Sequence, residues 1–335
     1  MFKQFYQKIK NIRQPKAAIL MYHQVCQRKN DPWELAVHPD HFHDQLDYLK
    51  KNFTVVPIGE LATSMSNNTI QPRTIAITFD DGFKDNYISA APMLDYYDLP
   101  ATFYVATTAM KDRKIYWWEE LQDILFQSEV LPRDFEMNIQ GELLRYTFKS
   151  DRALDKRLMN QIHAWNYHLP IPNERIAFYM MLWRRIKPMA YHHQNTIINE
   201  IKSWAGAGET SGQAETMDIR EMQMLSQNAL FSIGAHSVHH AMLAEQNVND
   251  QAFEVRESKR QIETWLGKPV KGFAYPYGNY NAVTQTLLRE AGFEYAVSTE
   301  QKLITAQDDR FALPRIQVKN WCVYEFASKI NEMVN

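Results

Sequence analysis

Cysteine is nearly absent from this sequence: only Cys26 and Cys322 occur among 335 residues. That excludes a disulfide framework and any Cys-rich zinc ribbon, and leaves room for at most one bridge. No charge of one sign dominates either. The 37 Lys and Arg nearly cancel 39 Asp and Glu, so the footprint of a general nucleic-acid binder is missing. Long apolar runs are missing too. Ala17-Ala18-Ile19-Leu20-Met21 is too short for a signal-peptide core and runs straight into Tyr22-His23, and nothing approaches a membrane span. The expected location is therefore the cytoplasm. No repeat or low-complexity tract stands out, and 45% hydrophobic with 23% charged residues is ordinary globular composition. A chain of this length can bury a full core, in one large domain or two ordinary ones.

Against that background one pattern is prominent. Thr74-Ile75-Ala76-Ile77-Thr78-Phe79 is short, β-branched and apolar, and it ends in Asp80-Asp81-Gly82. This reads as a buried strand delivering two carboxylates to a loop. Like charges leaving a buried strand are costly unless paired or metal-bound. Far downstream a second strand-like run, Leu230–Ala235, delivers His236-Ser237-Val238-His239-His240. One Asp with two His is a sensible set for a divalent metal that keeps positions open for water and substrate. The spacing of His236 and His240 would put them on one face if the stretch begins a helical turn, and Gly234 fits a sharp bend before them.

These residues resemble the polysaccharide deacetylase family (carbohydrate esterase family 4, with the NodB homology domain). Its TFDD motif stands as Thr78-Phe79-Asp80-Asp81, and its H-[ST]-x-x-H motif as His236, Ser237 and His240. Ala274-Tyr275-Pro276-Tyr277-Gly278 is similar to its R-x-P-[YF] element, with alanine for arginine. Met21-Tyr22-His23, Pro100–Val105 and Leu313-Pro314-Arg315-Ile316 are further pieces in the expected order. The resemblance implies a distorted (β/α) barrel and a hydrolase that removes acetyl groups from N-acetylated sugars. It implies Asp81, His236 and His240 as ligands of a divalent metal, Zn2+ first, then Co2+, Ni2+ or Fe2+. It implies Asp80 as general base and the backbone N–H of Tyr277, set by Pro276, as oxyanion donor.

Two departures matter. The motif arginine is replaced by Ala274, and Arg315 or a mere surface arginine are the two readings of the later one. No histidine follows His240, so the family's late acid is missing. His23, at a strand's C-terminal end, is the substitute. Tyr22 and Pro276 are expected beside the substrate. Trp117 and Trp118 either line a sugar groove or pack the core.

Strand and helix alternate through both halves, which argues for an α/β chain with parallel strands. Between about 111 and 221 the alternation lapses into a mainly helical insertion within a barrel spanning 17–335. Helices are expected from Trp117, over Arg175–Ile186 and over Thr196–Ala205, with a loose connection from Lys202 to Gly212. Residues 1–16 read as an amphipathic helix. Phe2, Phe5, Tyr6, Ile9 and Ile12 fall at helical spacing among Lys3, Lys8, Lys10 and Arg13. Peripheral contact of residues 1–13 with a membrane competes with packing on the domain, and packing is the preferred reading. A cytoplasmic enzyme of this kind would act on a saccharide precursor in cell-surface polysaccharide or glycolipid synthesis, free or lipid-linked. The competing readings are a non-catalytic saccharide-binding or scaffold protein, and a deformylase or esterase built on the same residues.

Overall fold

The computed structural model describes residues 16–112, 115–208 and 215–334. The expected N-terminal helix therefore lies outside the described residues. The centre is a parallel sheet whose strands run, edge to edge, Tyr295–Val297, Gly272–Ala274, Phe231–Ala235, Ala101–Val105, Thr74–Phe79, Ala17–Tyr22 and Ile316–Gln317. Thr54–Val55 adds a short strand beside the start of Thr74–Phe79. The long strands are buried along their whole length, as strands covered on both faces must be, and this is why they read as continuous apolar runs. The sheet curls until its edges approach. Val297 bridges to Leu313, and the Ser298 N–H donates to the Leu313 carbonyl at 2.8 Å. The expected distorted (β/α) barrel is the fold observed, with helices such as Pro39–Asn52 and Val248–Leu266 outside the sheet.

Side chains alternate across each strand, and this parity decides what reaches the barrel mouth. Thr78 and Asp80 point inward together. Phe79 and its register partner Tyr22 point outward and stack at 5.3 Å.

Four helices of the insertion, Trp117–Gln127, Lys156–Ala164, Glu174–Ile186 and Tyr191–Ala205, gather around a separate apolar cluster that includes Leu121, Leu125, Phe178, Tyr179 and Leu182. The helix expected from Thr196 begins five residues earlier, and residues 209–214 of the expected connection lie outside the described residues. The insertion also holds an antiparallel hairpin that the helical expectation missed, Asp134–Ile139 with Glu142–Thr147. Its first strand alternates exposed and buried residues strictly, and Gln140 and Gly141 turn with positive φ. Arg175 is completely buried and donates to the carbonyls of Leu125, Ser128 and Asp151 at 2.7–3.0 Å. That pins the helix Glu174–Ile186 to the hairpin's flank, with its C-terminal end beside the barrel mouth.

Candidate active site

The chemistry-bearing side chains converge at the C-terminal ends of the parallel strands, the working end of such barrels. After Thr74–Phe79 the chain turns through two successive left-handed residues, Asp81 at φ 71° and Gly82 at φ 66°. The turn swings the Asp81 carboxylate inward beside that of Asp80. His236 follows Phe231–Ala235 directly. Its Nδ1 lies 2.8 Å from the Ala274 carbonyl, which can only accept, so Nδ1 carries a proton and Nε2 is the nitrogen turned to the site.

The segment from His236 to Met242 is a loop without helical turn, which corrects the helical expectation. Ser237 and His240 take positive φ, and these bends return His240 to the site. Gly234 is not the bend either. It lies in the strand, where an added Cβ would sit 2.3 Å from the Tyr104 ring. The loop is held from outside by Glu254, which accepts from the N–H groups of Val238 and His239 at 2.8 and 2.9 Å and meets His239 Nδ1 at 2.6 Å. Sequence reasoning missed Glu254, because nothing along the helix Val248–Leu266 marks one acid among several.

Asp81 Oδ1 lies 3.2 Å from Nε2 of both His236 and His240, yet its angles make no hydrogen bond to either, and this buried oxygen has no hydrogen-bond partner. Three donor atoms within 4.8 Å of one another, one of them a carboxylate oxygen with no hydrogen-bond partner, are a donor set suited to a divalent metal. The residues fit the ion. Burial alone would raise the pKa of Asp81, but the two imidazoles hold it well below the usual carboxylate range.

Asp80 is bound differently. Arg315, fully buried, donates from Nη1 and Nη2 to its two oxygens at 2.7 and 2.6 Å, and Nη1 also reaches Thr78 Oγ1 at 3.2 Å. Burial works to raise the pKa of Asp80, and the guanidinium overrides it and lowers the value. Arg315 can do this because it precedes Ile316–Gln317, which pairs with Leu20 and Met21, one level below the aspartates.

These groups floor a cavity of about 400 Å3. His23, Trp118 and Tyr277 line it. Tyr277 sits in a short turn after the buried Pro276, at φ 58°, with its ring 4.5 Å from that of His240. Gly278 is obligatory beside it, since a Cβ there would meet Thr299 Oγ1 at 2.0 Å. Three expected substrate contacts, Tyr22, Trp117 and the buried Pro276, do not line the cavity. Tyr22 is wholly buried and points to the outer helix, its hydroxyl on Gln45 at 3.0 Å. Trp117 is buried in the insertion's cluster and does not line the cavity. Trp33, Tyr167, Trp183 and Lys187 do line it and were not foreseen. For Trp33 the signal existed, since it follows a strand's C-terminal end. For the other three, inside the insertion, there was none.

The family model described as polysaccharide deacetylase matches residues 67–128 and 201–296, leaving out 129–200, the middle of the insertion. The Bacillus subtilis (strain 168) protein YxkH, whose name places it among polysaccharide deacetylases, is 24% identical over 111 residues. That match spans 33% of this chain and only 39% of the relative's own length. Among solved structures, the Streptococcus pyogenes deacetylase PplD in complex with acetate superposes with a TM-score of 0.59 at 19% identity, covering 96% of this chain and 99% of that one. IcaB from Ammonifex degensii gives 0.56 at 16% identity, covering 96% and 98%. At these identities the two structures speak to the fold, and the fold agrees with the motif order, the strand-end site and the family model. By motif order, fold and family model alike, the chain is similar to the polysaccharide deacetylase family.

Proposed function

We propose that this protein removes acetyl groups from an N-acetylated saccharide in a metal-dependent reaction, at the site built from Asp80, Asp81, His236 and His240. The observation that carries the reading is the division of labour between adjacent aspartates. Asp81 stands 3.2 Å from two imidazole nitrogens with an oxygen that has no hydrogen-bond partner, while Asp80 is clamped by Arg315 and remains ionised. A binding protein has no need of that second, separately held carboxylate.

Held by Asp81, His236 and His240, a divalent cation, zinc by the donor chemistry, supplies Lewis acidity to a water and to the acetyl carbonyl. Asp80 takes the proton from the attacking water. Arg315 fixes the orientation of that carboxylate and keeps it ionised at neutral pH. Tyr277, in its strained turn, presents its backbone N–H to the developing oxyanion. His23, across the cavity, protonates the departing amine. The described residues contain no helix long and apolar enough to cross a membrane. A saccharide precursor, free or lipid-linked, met in the cytoplasm or at a membrane surface through residues 1–13, is the substrate this reading favours.

Metal content of the purified protein, beside Asp81→Ala and His236→Ala variants prepared identically, is the first test, followed by acetate release from N-acetylated oligosaccharides with and without chelator. About one metal per chain, lost in both variants, with chelator-sensitive acetate release, is expected. Acetate release that persists in the metal-free protein would sink the reading.

A further inference from the structure

Lys187 is the feature of the cavity that the reaction leaves unused. It caps the C-terminal end of the insertion helix Glu174–Ile186. Its Nζ sits between two aromatic faces, 4.5 Å from the Trp183 ring centroid and 4.4 Å from that of Tyr277. It lines the same cavity as Asp80 and Asp81. Tyr277 in turn packs against His240 at 4.5 Å, so the ammonium stands one aromatic ring away from the metal-ligand set, about the reach of a single sugar unit. Among the described residues no carboxylate pairs with its Nζ and no acceptor engages it. The other buried cations are spoken for: Arg315 by Asp80, Arg28 by Glu119, Arg175 by backbone carbonyls.

A cation half withdrawn from water pays for that desolvation unless a counter-charge or strong acceptor meets it. The two ring faces offset part of the cost and hold the ammonium in place, but they leave its N–H donors unused. Burial lowers its pKa, and no neighbouring charge acts on it in either direction. The floor offers no free anion, since one aspartate is neutralised by Arg315 and the other belongs with the two imidazoles. The missing partner has to arrive with the substrate.

We propose that Lys187 is a specificity-determining residue that receives an oxyanion, a carboxylate or phosphate carried on or beside the N-acetylated sugar, and that the protein therefore selects acidic over neutral saccharides. This rests on the deacetylase reading for its substrate but on the cavity wall for its charge preference. Trp183 and Trp33, stacked at 4.3 Å with Tyr167 beside them, give the flat apolar surface against which the ring bearing that anion would lie.

The test compares three probes on the metal-loaded protein: di-N-acetylchitobiose (neutral), a disaccharide of N-acetylglucosamine and N-acetylmuramic acid (carboxylate), and N-acetylglucosamine 1-phosphate (phosphate). The wild type is expected to favour an acidic probe over the neutral one by about tenfold or more in kcat/KM, the worth of one charge-assisted hydrogen bond. The carboxylate and phosphate arms show which oxyanion is served. In Lys187→Met the acidic-to-neutral ratio should fall toward one, and in Lys187→Arg it should largely return. Equilibrium binding of the same probes to Asp80→Asn gives the preference without turnover. If no probe is hydrolysed yet acidic probes bind better and Lys187→Met erases the difference, the deacetylase reading fails and the anion site stands. An acidic-to-neutral ratio near one in the wild type, by both rate and binding, or an unchanged ratio in Lys187→Met, overturns the proposal.

Discussion

Removing Arg315 leaves a fully buried carboxylate without its counter-charge, and the sign of the consequence is set. The burial that raises the pKa of Asp80 would then be opposed only by the weaker pull of His236 and His23. In Arg315→Met the acid limb of the pH–rate profile should move to higher pH, with turnover at pH 7 down by about a hundredfold, the usual worth of a positioned base. An acid limb that stays put would remove Arg315 from this role. His23→Ala should bind metal as the wild type does and lose about a hundredfold or more in turnover; retained turnover would reject His23 as the acid. Both residues were readable from sequence, because strand ends were readable. Arg315 as partner of Asp80 was one of two readings, since only the short strand Ile316–Gln317 brings it beneath the aspartates. Tyr22 was misplaced for want of one step of parity. Met21 and His23 face the cavity, so the residue between them must face away.

Among elements, the loop between Phe231–Ala235 and the helix Val248–Leu266 has the most to lose. Its ligand-bearing part, His236 to Met242, has no helical turn, and its shape depends on Glu254 accepting two backbone N–H groups and an imidazole. Glu254→Ala should weaken metal binding by about 10- to 100-fold, the usual effect of losing a group that supports a ligand, while circular dichroism stays native. Competition with a chromophoric chelator measures this; wild-type affinity in the variant would refute it. The sequence marked the loop's histidines but not its shape, because positive φ at Ser237 and His240 leaves no compositional trace where glycine is absent. The insertion was legible as helices wherever apolar residues kept the helical period. Its hairpin escaped because the alternating run Asp134–Ile139 is only six residues long and lay in a segment already read as helical.

For the whole molecule, stability has a pH term that the active site does not set. Asp85, half-buried where the strand end Val25 and the turn at Asn86 meet, has its carboxyl pushed by desolvation from 3.8 up to about 6, although the Val25 N–H and the Asn86 amide pull the other way. Between those values the native state binds a proton the unfolded chain does not. This group's contribution therefore favours the fold most below pH 4 and is lost as pH rises through 6. Asp85→Asn keeps an acceptor for the Val25 N–H and removes the ionisation. Its stability relative to wild type should improve from pH 4 to 7, by on the order of 3 kcal/mol at most, read from urea midpoints; a difference independent of pH would contradict it. The closure of the barrel has a consequence in time as well as in space. Asp80 and its guanidinium partner lie 235 residues apart in the chain, and a ribosome adding roughly 5–20 residues per second needs roughly 12–47 s to get from one to the other. Through that interval the nascent chain carries its future base unneutralised, so the half-made barrel must stay open and wet at its mouth, within reach of chaperones, until the closing strand has been synthesised.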